Sequence, residues 1–310
     1  MWKYILKRIL MLIPIVIGIS ILVFLLMSLS GTSPGRMILG PEASQTDIEK
    51  IEHELGLDKS LPAQYGDYFI KAVQGDLGNS YKTGDTVIST IKIRFPVTLK
   101  LSLAAMLLAA VVGIPVGILS ATKQKSIFDK VTTVSTLVLY SIPPFCMGIL
   151  LIFVFAFKLD LLPSFGIDEW QGYILPAIAL SVNTMCAIIR TGRSTLLEEV
   201  RQDYIRSARG KGVPERAITM KHALPNAIIP VITVTGVNFG YLLGGTVVIE
   251  SVFSLPGMGT MLITAIRTSD TPLVMGGVIL LAAAFSIVNL LVDVIYAFVD
   301  PRIKAQYKGR

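Results

Sequence analysis

Six stretches of this chain each run about twenty mostly apolar residues, the length a helix needs to cross a hydrocarbon core about 30 Å thick. They cover approximately Ile9–Leu29, Val97–Ser120, Val131–Phe157, Tyr173–Ile189, Ala223–Ile249 and Leu273–Val299. No other feature constrains the fold as much, because a polypeptide crossing lipid through such runs is expected to do so as helices. Composition agrees: 53% of the 310 residues are hydrophobic and 16% are charged, against roughly a quarter charged in soluble domains. Lys100 lies near one end of the second run, where its long stem reaches the interface. The first run follows Lys3, Lys7 and Arg8, as in a signal peptide. It is long enough to span and no small-residue cleavage site clearly follows, so a retained first helix is expected.

The net charge of +7 does not indicate nucleic acid, because the basic residues flank apolar runs, where membrane orientation explains them. With the N-terminus on the cytoplasmic side, that side holds Lys3, Lys7 and Arg8, then Lys123, Lys125 and Lys130. It also holds eight basic residues between Arg190 and His222, and Arg302, Lys304, Lys308 and Arg310 at the end; together these are eighteen of the 28 Lys and Arg. The opposite side has one long segment, residues 30 to 96, with seven basic and nine acidic residues, and two short loops carrying Lys158 and Arg267. This asymmetry predicts an N-in, C-in chain. Cys146 and Cys186 both sit inside apolar runs and read as small hydrophobes.

The external segment reads as a small ordered subdomain. A polar helical stretch begins at Asp47, Gly56 and Pro62 punctuate it, a second amphipathic piece covers Tyr65–Val73, and Gly75-Asp-Leu-Gly-Asn-Ser-Tyr is rich in turn residues. His53, alone among carboxylates, reads as a surface histidine. The expected organisation is an N-terminal spanning helix over 1–30, an extracytoplasmic subdomain over 31–96, a transmembrane core over 97–300 with a cytoplasmic loop at 190–222, and a cytoplasmic tail at 301–310.

The stretch from Arg190 to His222 is too long for a plain connection. Leu197, Val200, Tyr204 and Ala208 recur at spacings of one helix face, with Glu198, Arg201, Gln202, Arg206 and Arg209 elsewhere. Glu198–Arg201 and Asp203–Arg206 are oppositely charged i,i+3 pairs. Gly210 and Gly212 can stop this helix, and Pro214 suits the first turn of a second one that re-enters the membrane at Ala223-Leu-Pro-Asn. A surface helix with an apolar face needs a partner, either lipid headgroups or a groove on another protein.

The stretch Arg206-Ser207-Ala208, three residues, Gly212, nine residues, His222-Ala223-Leu224-Pro225 resembles the "EAA" signature of permease subunits in bacterial binding-protein-dependent ATP-binding-cassette importers. Ala208, Gly212, Leu224 and Pro225 match in identity, while Arg206, Ser207 and His222 depart from it. Gly75-Asp-Leu-Gly-Asn-Ser, Val248-Ile-Glu-Ser-Val-Phe-Ser-Leu-Pro-Gly-Met-Gly and the closing Asp293, Tyr296 and Asp300-Pro-Arg are similar to the peptide and nickel branch of that family. The resemblance covers nearly the whole chain.

It implies an all-α, six-helix permease of the type I importer fold in the bacterial inner membrane. It implies a second, similar permease, two ATP-hydrolysing subunits that hold the ATP and magnesium, an external substrate-binding protein, and no cofactor or metal in this chain. Hydrolysis is expected on those partners, because no G-x-x-x-x-G-K-[ST] occurs and Gly210-Lys-Gly-Val lacks the spacing of a phosphate loop. In the family the loop forms a helix seated in a groove of the ATPase. The match places Asp203, Tyr204, Arg206, Ala208, Gly212 and Pro225 at or beside that contact, with a purely chain-shaping role for Gly212 and Pro225 as the alternative.

Intramembrane polar residues mark the candidate pathway: Asn183, Asn238, Asn289 and Asp293, with Ser135 and Tyr140 weaker. A helix–helix hydrogen bond explains an intramembrane Asn equally well. Pro143-Pro144 and Pro230 are expected to interrupt spans. Glu250, Pro256 and Gly257 are candidates for an external gate, with an ordinary interfacial turn as the alternative. A stand-alone secondary transporter and a lipid- or partner-binding scaffold are the competing readings. Di- or oligopeptides, nickel complexes and related small solutes all remain open as cargo.

Overall fold

The computed structural model describes residues 2–29, 33–40, 42–166 and 169–299, the side chains of residues 2–9, 293 and 295–299 excepted. Its elements are thirteen α-helices: α1 (Trp2–Ser28), α2 (Pro34–Leu39), α3 (Gln45–Glu54), α4 (Leu61–Val73), α5 (Val87–Thr122), α6 (Ile127–Ser141), α7 (Pro144–Leu151), α8 (Ile174–Glu199), α9 (Asp203–Gly210), α10 (Glu215–Ala217), α11 (Leu224–Val252), α12 (Met258–Arg267) and α13 (Thr271–Val299). Among the described residues extended pairing is limited to one bridge, Asn79 with Thr86.

Five helical segments are long and apolar enough to cross a membrane, and six if the bent pair α6 and α7 forms one span. That pair departs from the straight third span expected over Val131–Phe157. It bends by 101°, with Ile142 in an extended conformation and Pro143 capping α7. A proline lacks the N–H that would continue the ladder and forces the residue before it out of the helical region, so two in succession break the helix. α7 then continues as a wider π-type helix over Ile152–Lys158. Pro230, by contrast, lies inside the continuous α11 and ends nothing. The second span starts ten residues before its apolar run, at Val87. Its 36 residues make a helix about 54 Å long, longer than the hydrocarbon core.

The chain divides into two compact units. Among the described residues, one comprises Leu99–Leu255 with residues 2–5 and 287–299, and the other Leu6–Thr98 with Pro256–Ser286. In the first unit α8 is the hub, with α6, α7 and α11 packed on it. Gly113 and Gly117, four apart on α5, bring that helix against α8. A Cβ on Gly117 would stand 2.9 Å from the Ile189 carbonyl oxygen. Small residues at this spacing are how spanning helices approach closely enough for their backbones to pack. Ala109, Ile188 and Val231 form a core cluster, bordered by Ile114, Met185 and Ile228.

A polar node ties three helices of this unit together. Asp129, 4% exposed, receives Arg193 Nε and Nη2 at 2.6 and 2.9 Å, Ser120 Oγ at 2.6 Å and Lys125 N at 2.9 Å. Its own N–H donates to the Ser126 cap at 3.2 Å. The node joins the end of α5, the start of α6 and the last third of α8, with every carboxylate oxygen occupied. Nothing in the periodicity of the sequence marked Asp129 or Arg193.

The second unit holds the polar helices expected in the external segment. α3 is capped by Ser44, whose Oγ accepts from Asp47 N. α4 meets α1 through Ser20 Oγ and Tyr65 Oη at 2.7 Å, with Phe24 and Phe69 flanking the Tyr65 ring. His53 sits 2.9 Å from Asp58. The turn-rich stretch after Gly75 is pinned by Asp270, which accepts from the Ser80 hydroxyl and from Tyr81 N. Burial and this carboxylate push the Tyr81 phenol up to about 12. Val87, Ile91, Met258, Met261 and Leu262 form the core of this unit.

Two outcomes follow. Asp129→Ala leaves the Arg193 guanidinium without its partner and should destabilise the chain by about 3 kcal/mol, read as a lower midpoint of thermal unfolding in detergent. Adding Arg193→Met should recover part of the loss. Gly117→Leu, wedged against backbone instead of a movable side chain, should cost about 2 kcal/mol in the same measurement.

Candidate functional site

The loop between α8 and α11 folds as a short helix held down by an apolar seam. α8 continues nine residues past Arg190, so the stretch expected to be cytoplasmic loop from Arg190 begins as spanning helix. The single helix expected through Leu197 and Ala208 is broken at residues 200–202. Gln202 turns to an extended conformation and caps α9, and no ion pair joins Glu198 to Arg201 across the break. Asp203 and Arg206 do approach, at 3.5 Å. Asp203 in the first turn and Arg209 in the last both suit the helix dipole.

The break re-phases the helix. Ile205, fully buried, becomes the inward residue of α9. It packs with Ala121, Leu196, Ile218, Ala223 and Ala227, and Leu197, Val200, Ala208 and Val213 border the same cluster. α5, α8, α9, the turn after it and the base of α11 therefore share one apolar seam. A continuous helix would have placed Tyr204 inward, and for that reason Ile205 was not legible in the spacing.

α9 ends in a glycine turn. Gly212 has φ +78, Val213 N donates to Ala208 O at 3.2 Å, and Gly212 N to Arg209 O at 2.9 Å. This is the paired bonding of a left-handed helix stop, with Val213 and Ala208 meeting on the seam as such stops favour. A Cβ on Gly212 would meet nothing within 4 Å, so the residue serves backbone conformation and not close packing. Arg209 closes the turn by a two-pronged contact to Glu215, Nε to Oε1 at 2.6 Å and Nη2 to Oε2 at 3.2 Å. Each charge favours the other's ionised form: Arg209 is raised and Glu215 lowered.

Tyr204 braces the seam's rim. Its hydroxyl donates to Glu199 Oε2 at 2.5 Å and accepts from Asn226 Nδ2 at 3.0 Å. Partial burial and then the Glu199 contact raise its pKa. The six loop residues singled out thus divide into two groups. Ala208 is half-buried on the seam, and Tyr204, exposed at its rim, is tied to Glu199 and Asn226; both hold α9 in place. Asp203, Arg206, Gly212 and Pro225 are exposed and, with Ser207, form the outward surface.

The other candidates are scattered. Asn238 donates to Val234 O of its own helix at 2.8 Å. Asn289 is half-buried on α13. The Asp293 side chain lies outside the described residues, as do the side chain of Tyr296 and the tail after residue 299. Asn183, on α8, has a buried Oδ1 with no hydrogen-bond partner. Ser135 and Tyr140 are exposed on α6. Glu250 is fully buried near the end of α11. Pro256 is half-buried and Gly257 buried at the start of α12, on the other side of the division between the two units.

Comparison with known proteins agrees with this arrangement. Residues 113–305 match the model of the family "Binding-protein-dependent transport system inner membrane component", and residues 1–102 match the model of the N-terminal part of such components. The chain is 40% identical over 304 residues to the glutathione transport system permease protein GsiC of Escherichia coli O6:H1 (strain CFT073), covering 98% of this chain and 99% of the relative. It is 39% identical, with the same coverage, to GsiC of Escherichia coli strain K12. Among solved structures, a chain from inward-facing MetNI, a methionine ATP-binding-cassette transporter, superposes with a TM-score of 0.58 at 19% identity. It covers 68% of this chain and 96% of that one. The family model spans more than half of the chain and the permease relatives cover nearly all of it: the chain belongs to the binding-protein-dependent transport system inner membrane component family and is a permease subunit of an ATP-binding-cassette importer in the inner membrane.

Proposed function

We propose that this permease forms half of a translocation path for glutathione or a closely related small peptide, and that α9 is the element through which an ATPase subunit drives it. ATP hydrolysis itself is carried by separate subunits, with ATP and magnesium held there. The reading adds a second, similar permease, two ATPase chains and an external binding protein. It also adds an N-in, C-in orientation with the subdomain of residues 31–96 on the binding-protein side.

The observation that carries the coupling role is the two-sidedness of α9. One face is locked by Ile205 and Ala208 into a seam shared with α5, α8 and α11. The other leaves Asp203 and Arg206 largely in solvent, their side chains 96% and 74% exposed. A helix fixed on one side and open on the other transmits a push as a rigid body, because the seam is close-packed and does not compress. The left-handed stop at Gly212 and the Arg209–Glu215 contact keep the following turn from absorbing that push. The peptide reading rests on identity to the glutathione permeases along nearly the full length. Longer peptides and nickel complexes are the neighbouring possibilities within the branch.

Two experiments test these statements. Ser207→Trp and Asp203→Lys, on the outward face of α9, should reduce uptake and co-purification of ATPase subunits about tenfold or more while leaving the unfolding midpoint of the chain unchanged. Unaltered uptake in both would sink the coupling role. In proteoliposomes holding the complete importer, labelled glutathione should accumulate on ATP addition. An excess of unlabelled glutathione should compete and nickel salts should not; the reverse pattern would replace the peptide reading with a metal one.

A further inference from the structure

A spanning helix shows lipid its apolar side. α6 does so: Val131, Val134 and Leu137 are 58%, 61% and 55% exposed. α8 does the opposite. Its apolar residues are turned inward, with Leu180, Cys186, Ile188, Ile189 and Leu196 all buried. The face left incompletely covered reads Asn183, Ala187, Arg190, Ser194 and Glu198. Steps of four, three, four and four keep these five within a single narrow stripe of a 3.6-residue helix. Four of the five are polar and the fifth is small. Such a stripe is costly against hydrocarbon and belongs against water or another protein.

Two groups on the stripe lack partners. The Asn183 Oδ1 is buried and accepts no hydrogen bond. Arg190 places its guanidinium 5.1 Å from the centre of the Tyr140 ring and has no ion pair or hydrogen bond among the described residues. It stands nine residues before the end of α8, about 13 Å up the helix, so it is not a loop charge. The contrast with Arg193 three residues on is direct, because that guanidinium is fully engaged by Asp129. Tyr140 ends the last full turn of α6 before the break at Ile142 and Pro143, which gives the Arg190 cation a fixed aromatic shelf. A positioned guanidinium with free N–H donors is suited to a carboxylate, and an unpaired amide oxygen two turns away is suited to an N–H donor.

We infer that the open stripe of α8 lines the translocation path, and that Arg190 on its Tyr140 shelf is a cargo-contacting residue that receives the carboxylate of a peptide-like solute, with Asn183 accepting from its amide or ammonium. This rests on the permease reading and deepens its peptide form. Glutathione carries the required groups, two carboxylates beside amide and ammonium N–H donors.

The test has one arm that needs no cargo. In the complete importer with Cys146 and Cys186 replaced by Ser, Ala187→Cys and Ser194→Cys should react with charged, membrane-impermeant methanethiosulfonates, and Val134→Cys, turned away from Tyr140 on α6, should not. Relative to their rates with a free thiol in solution, the anionic reagent should be favoured over the cationic one by about fivefold, and Arg190→Gln should abolish that preference. Unreactive thiols at 187 and 194 would overturn the pathway assignment and place the stripe against the second permease. A preference that survives Arg190→Gln would overturn the role of Arg190.

The second arm uses labelled glutathione. Arg190→Gln should lower uptake about tenfold, while assembly and ATPase stimulation by the loaded binding protein stay within about twofold of wild type; Arg190→Lys should lie between. Loss of assembly together with uptake would mark a structural role and overturn the proposal. Wild-type importer that labels as expected but takes up no glutathione would refute the choice of glutathione alone and leave the stripe assignment standing.

Discussion

Inside a bilayer the hydrophobic effect gives helices no reason to associate, since lipid tails are as apolar as leucine. The packing of α5, α6, α7 and α11 on α8 therefore depends on fit and on polar pairs. Gly113 and Gly117 supply the fit by letting α5 approach the α8 backbone. Asp129 supplies the polar pair, binding Arg193 of α8 with both oxygens while Ser120 and Lys125 N complete its shell. α9 is fixed to the same helices, because the seam that holds it is built on Leu196 of α8, Ala121 of α5 and Ala227 of α11. The Asp129–Arg193 node lies within a turn of the first of these along the same helix.

The base of the unit is a rigid joint made from ordinary parts. A glycine in the left-handed region stops a helix, a valine and an alanine close the stop, and a tyrosine hydroxyl fastens the rim to two further helices. Each contact is modest. Together they fasten α9 to the helices behind it and leave Asp203, Arg206 and Ser207 on its outward face. The same hub has a second face. The α8 stripe through Arg190 lies on the same helix that contributes Leu196 to the seam.

Much of this was legible in the chain. The apolar runs marked every long helix, the glycines at 210 and 212 marked the stop, the proline pair marked the break, and the polar stretch after Asp47 marked helices in the external segment. Legibility failed where one helix had to be told from two. The spacing of Leu197, Val200, Tyr204 and Ala208 fits a continuous helix, and only the break at residues 200–202 turns Ile205 inward and Tyr204 to the rim. Arg190 read as the first residue of a loop because it is the first charge after an apolar run, yet the helix continues and makes it part of the span. The complete burial of Glu250 is likewise not marked by any spacing in the chain.

The sequence by itself determined the all-helical membrane class, the approximate spans, the expected orientation and the family pattern, because these depend on local hydropathy and on short motifs whose geometry is set within a few residues. The tertiary structure alone decided which polar groups are paired. Asp129 and Arg193 are 64 positions apart, and Ser80 and Asp270 are 190 apart; no periodicity connects residues brought together by separate helices. Arg190 and Arg193 look alike in the chain. Helix packing gives Arg193 a carboxylate and leaves Arg190 over a tyrosine ring, with no ion pair or hydrogen bond among the described residues.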